Sequence, residues 1–202
     1  MVALVLLALL SYLDLFVVKH YFGDAEVADY SRASLVARSF LYAPGALVAV
    51  LIPKVAAARA RGEDTRPLLL RVFAVVSTLL VAGLAFVWLF TGFTITLLCG
   101  AGDRFHDLAP LVRWFCAAIL PMAMFYPVLY YLLAARNRGA LAIEAVAVVG
   151  YALALQVFHD RFADVIAGLA ITGTVVLVAG LALALRAAPG PLPLPKPDAA
   201  GI

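Results

Sequence analysis

Residues 1–20 read MVALVLLALLSYLDLFVVKH. Everything before Asp14 is uncharged and mostly apolar, and further apolar residues follow it before Lys19. About 20 such residues suffice to cross a hydrocarbon core as a helix. This stretch therefore reads as a membrane helix that carries a carboxylate in its body. A secretory signal peptide is the competing reading, but the stretch lacks a basic start, a convincing small-residue cleavage site and an uncharged interior. A helix entering from the cytoplasm is usually preceded by Lys or Arg. Their absence here raises the expectation that Met1 does not begin the complete functional unit.

The same character recurs along the chain. Of its 202 residues, 66% are hydrophobic and only 13% charged, and the mean hydropathy is +1.06, far from soluble globular composition. The expected fold class is an all-α integral membrane protein. Six helices are predicted, over about 2–21, 28–53, 69–98, 108–134, 140–158 and 162–186. They form one bundle over residues 1–186. Links rich in charge, Gly or Pro separate them, among them KVAAARARGEDTRP (54–67), ARNRG (135–139) and HDRFAD (159–164). The segment 69–98 is longer than a bilayer needs, so tilt or an extension beyond the membrane is expected. Residues 187–202, ending in PGPLPLPKPDAAGI, read as a Pro-rich, disordered cytoplasmic tail.

Charge sets the orientation. Lys54, Arg59, Arg61, Arg66, Arg71, Arg136, Arg138, Arg186 and Lys196 fall on one side, against Lys19, Arg104, Arg113 and Arg161 on the other. Basic residues mark the cytoplasmic side, so both termini are expected there. Cys99 and Cys116 lack the pattern of a disulfide framework and read as small packing residues. No phosphate-binding loop, dinucleotide fingerprint, HExxH or CxxC is present. Neither an enzyme, a cofactor nor a nucleic-acid partner is expected. The loops holding Asp103, His106 and Asp107, and His159, Asp160 and Asp164, match no specific metal-ligand spacing, and no metal site is assigned.

Buried charge is the informative signal, because each charged residue at membrane depth costs at least ~2.5 to 3.5 kcal/mol. Asp14 is the first. In the second helix, Ser31, Ser34, Arg38, Tyr42 and Gly45 share one face by their spacing. Arg32, near the helix start, can reach the interface, whereas Arg38 is too deep to snorkel and needs an acceptor. Asp14 supplies it in a structural pairing; an anionic substrate in a polar cavity is the alternative, matched to phosphate by the planar guanidinium fork. Pro44 predicts a kink or hinge. Pro121 and Pro127 bracket an aromatic run continuing to Tyr130 and Tyr131, read as a packing seam ahead of a sugar-stacking surface. Glu144 is expected to pair at the interface with Arg136 or Arg138, with proton coupling second.

DLFVVKHYFGDAEVADYSRASLVARSFLYAPGALVAVLIPKVAAARARGE, from Asp14 through the second helix, resembles the C-terminal six-helix half of polysaccharide flippases of the multidrug/oligosaccharidyl-lipid/polysaccharide exporter superfamily. LLCGAGDRFHDLAP and FADVIAGLAITGTVVLVAGLAL resemble later parts of that half. The resemblance implies flipping of undecaprenyl-pyrophosphate-linked oligosaccharide across a bacterial inner membrane by alternating access, for cell-surface polysaccharide biosynthesis. It implies Arg38 and Arg32 as substrate-binding cations, Asp14 as their electrostatic partner, and Tyr30 and Tyr42 as sugar contacts. Its partners are that lipid-linked substrate, membrane lipids and a second six-helix half. With six spans against the family's twelve to fourteen, the chain reads as truncated, split or homodimeric. A cation-coupled multidrug exporter half and a non-transporting scaffold of envelope-polymer assembly are the alternatives.

Overall fold

The computed structural model describes residues 2–42, 44–100, 105–135, 137, 139–158 and 160–186. Among these the chain is entirely helical: α1 (Val2–Tyr21), α2 (Asp24–Tyr42), α3 (Gly45–Ala60), α4 (Arg66–Leu89), α5 (Thr91–Cys99), α6 (Phe105–Ala134), α7 (Gly139–Val157) and α8 (Phe162–Arg186). Among the described residues, four helices are long and apolar enough to cross a membrane: α4, α6 from Leu108, α7 and α8. The tail from 187 onward, the side chains of Arg59 and of residues 101–107, and Arg136, Arg138 and His159 lie outside the described residues.

Two of the expected spans are each two helices. The segment 28–53 divides into α2 and α3 at Pro44, which cannot donate a helical hydrogen bond and disfavours helical backbone in the residue before it. The segment 69–98 divides at Phe90, whose backbone leaves the helical region (φ −119°, ψ 39°). Three side-chain bonds satisfy carbonyls around that break. Thr91 Oγ1 donates to the Val87 oxygen at 2.6 Å and lies 3.3 Å from that of Trp88, and Thr94 Oγ1 donates to Phe90 at 3.0 Å. Arg113 Nε on α6 donates to Thr91 Oγ1 at 2.8 Å, tying the break to the bundle. Hydroxyls bonding back along a helix bend it in this way.

Helix ends follow local chemistry. Glu26 Oε2 accepts the Gly23 backbone N–H at 3.1 Å, closing the start of α2 from within. α3 ends through Gly62 at φ 73°, with Glu63 N donating to Ala58 O at 3.0 Å, a left-handed C-terminal cap.

α6 is the central helix: it packs on α8, α2, α4 and α3. Glycine allows its closest approach to α8. A Cβ on Gly180 would stand 2.6 Å from Phe125 Cε2, and one on Gly173 would stand 3.1 Å from the Met122 backbone nitrogen. Small residues in membrane bundles act in this way, because dispersion contact rather than water exclusion drives the helices together. α1 packs mainly on α7, and α2 on α6. The outside of the bundle is apolar, with exposed Val75, Leu79 and Phe86 on α4 and Val146, Val149 and Leu153 on α7.

Candidate functional site

The polar centre joins α1 to α2. Asp14 lies seven residues, about 10 Å, from the end of α1, and is fully buried. Arg38 of α2 donates from Nη2 to Asp14 Oδ1 at 2.7 Å. The same guanidinium donates to the Ser11 carbonyl from Nε at 3.0 Å and from Nη2 at 2.8 Å. Tyr30, also on α2 and fully buried, donates its hydroxyl to Asp14 Oδ2 at 2.7 Å. Both carboxylate oxygens are thus occupied. Each buried ion costs several kcal/mol to desolvate, and such a pair persists only when further hydrogen bonds serve it, as they do here.

The surroundings hold this geometry. The Arg38 guanidinium carbon lies 4.7 Å from the centre of the Tyr12 ring and 5.8 Å from that of Phe115 on α6, both within cation–π range. The Tyr30 ring meets Phe115 edge-on at 5.1 Å and Phe162 of α8 at 5.3 Å. Tyr151 of α7 is buried within electrostatic range of Asp14 and Arg38. One guanidinium nitrogen is left over: Arg38 Nη1 has no hydrogen-bond partner among the described residues.

Beside the ion pair stands a tyrosine surface. The hydroxyls of Tyr12 and Tyr42 bond to one another, and Tyr42 is 62% exposed at the end of α2. Tyr126 of α6 lies within electrostatic range of both. It stacks on Tyr130, one turn further along, with ring centres 6.4 Å apart. Tyr131 turns inward and shares a hydrogen bond with Thr65 at 2.9 Å. The aromatic run thus divides, with Tyr126 and Tyr130 partly open and Tyr131 in the core.

The structure brings Asp14, Arg38 and Tyr30 together, with Tyr42 next to them through Tyr12. Of the face read from α2, Ser34 and Arg38 are buried while Ser31 and Tyr42 are exposed. Arg32 stands apart: its side chain is 48% exposed and pairs with Asp29 at 3.2 Å. Glu144 is fully buried, and neither carboxyl oxygen has a partner among the described residues. Cys99 and Cys116 are free thiols. No group of three or more potential metal ligands occurs among the described residues.

Sequence reasoning missed Tyr12, Phe115 and Tyr151. Tyr12 lies two residues before Asp14 in the segment that raised the question, and Tyr151 lies two turns beyond Glu144 on the buried face of α7. Neither belongs to the α2 pattern that marked Arg38. A cavity of about 860 Å³ lies elsewhere, in an apolar groove of α6 and α8 lined by Trp114, Phe162 and Ile166 among others. No family model, curated protein or solved structure matches the chain.

Proposed function

We propose that this chain is a six-span bundle of a bacterial inner-membrane transporter, with both termini cytoplasmic, that moves undecaprenyl-pyrophosphate-linked oligosaccharide. The observation that carries the reading is Arg38: a buried guanidinium paired to Asp14, with Nη1 unpartnered among the described residues, next to a partly exposed tyrosine surface. Pyrophosphate and glycan call for these two kinds of group. A guanidinium fork recognises phosphate oxygens in pairs, and tyrosine offers a flat apolar body with a polar tip. Arg32, exposed near the start of α2, provides a second cation. Asp14 and Tyr30 position Arg38 and compete with the anion for it. A second six-helix unit would enclose the tyrosine surface.

The test replaces the open aromatic surface and spares the buried pair. In cells dependent on this chain, Tyr42→Ala with Tyr130→Ala is expected to reduce surface polysaccharide severalfold at unchanged membrane abundance. Full export by the double variant would overturn the role given to this surface.

A second reading, a cation-coupled exporter of small amphiphiles, is favoured by the buried Glu144, which has no hydrogen-bond partner among the described residues. It predicts that efflux of small amphiphiles depends on Glu144 and survives loss of the tyrosine surface.

A further inference from the structure

The hairpin of α3 and α4 carries two adjoining cavities of different character. One, of about 470 Å³, sits at the turn and is lined by Lys54, Arg61, Glu63, Asp64 and Arg71 together with small and apolar residues. The other, of about 260 Å³, runs between the helices and is lined by Val50, Leu51, Val72 and Val75. Lys54, Leu68 and Arg71 belong to both. A charged cavity and an apolar one therefore share two cations in their walls.

The acids at the turn are engaged locally. Arg61 holds Glu63 in a two-point ion pair, Nη2 to Oε2 at 2.9 Å, which keeps that carboxyl below the usual carboxylate range. Asp64 Oδ1 accepts the Arg66 backbone N–H at 3.0 Å. Lys54 and Arg71 make no ion pair with another described residue, although both are exposed. Lys54 stands six residues before the end of α3 and Arg71 five residues after the start of α4. Each is one to two turns inside its helix, the depth from which long basic side chains reach lipid headgroups.

We propose that this hairpin binds an anionic phospholipid, its phosphate between Lys54 and Arg71 and an acyl chain along Val50, Leu51, Val72 and Val75. Charge complementarity selects the headgroup, and the neighbouring apolar wall selects a lipid over a free anion. Basic pockets between membrane helices have this recognition chemistry. The inference stands apart from the transport reading and survives its failure.

The test is lipid retention by the purified full chain, read by native mass spectrometry after exchange with phosphatidylglycerol or phosphatidylcholine of identical acyl chains. Wild type is expected to retain phosphatidylglycerol preferentially. Lys54→Gln and Arg71→Gln should each lower that retention about fivefold, while Lys19→Gln, at an exposed basic residue elsewhere, leaves it unchanged. Val72→Trp, filling the channel with the charges intact, should lower retention of both lipids. Circular dichroism establishes that each variant folds, and each single substitution carries the test alone. Equal retention of the two lipids, no loss in either Gln variant, or full displacement of phosphatidylglycerol by millimolar inorganic phosphate would overturn the proposal.

Discussion

At the scale of single residues, the stability of the polar centre depends on completeness. Arg38→Ala leaves Asp14 with only the Tyr30 hydroxyl, a buried charge without its counter-ion. Losing one member of such a pair costs about 3 to 5 kcal/mol, and the unfolding midpoint in detergent should fall accordingly. Removing both charges, in Asp14→Leu with Arg38→Met, should recover most of that loss, because no uncompensated ion remains. A double variant as unstable as the single one would contradict this account of the pair. Glu144 presents the opposite case. Neither oxygen has a partner among the described residues, and burial without a compensating bond is a cost, so Glu144→Leu should leave the unfolding midpoint unchanged or raise it. A clear fall would reveal a partner for that carboxyl. Asp14 and Arg38 were legible in the sequence because charge at membrane depth has few explanations. Tyr30 lay outside the α2 face read from spacing and entered only as a sugar contact implied by resemblance; the closure of α6 and α8 over its ring depends on packing that one helix does not reveal.

At the scale of elements, hydropathy located apolar chain and overlooked where it breaks. Helices α1 and α8 run as the sequence predicts, since polar links bound them on their inner ends. The break at Phe90 was invisible because apolar residues continue through it and the compensating hydroxyls of Thr91 and Thr94 look unremarkable in a membrane segment. Thr91→Val removes the bond to Val87 O and the acceptor of Arg113 Nε together. A loss of about 1 to 3 kcal/mol is expected from the stranded donor, measured as a lower unfolding midpoint; no change would show that the break does not rely on Thr91. The α6–α8 contact offers a paired test. Gly180→Ala must displace the Phe125 ring and should destabilise by about 1 to 3 kcal/mol. Gly150→Ala meets nothing within 4 Å and should be neutral or slightly stabilising. Equal midpoints for the two variants would contradict the close packing of α6 on α8.

At the scale of the whole molecule, charge lies off-centre in an otherwise apolar bundle. α6 occupies the middle, while the ion pair sits where α1 and α2 meet, next to the tyrosines of α2 and α6. Composition made the all-helical membrane class legible, because few soluble folds tolerate so little charge. The division between a buried ion pair and an open aromatic surface was not legible, since it depends on which helices become neighbours. Within the transport account, these two parts have separate duties: Arg38 meets the anion and the tyrosines meet the glycan. The most direct measurement is mass spectrometry of membrane lipids from cells lacking this chain. Undecaprenyl-pyrophosphate oligosaccharides should accumulate, and the intact chain should reverse this while Tyr42→Ala with Tyr130→Ala does not. An unchanged lipid profile, in cells whose parent makes the glycan, would contradict the flippase account.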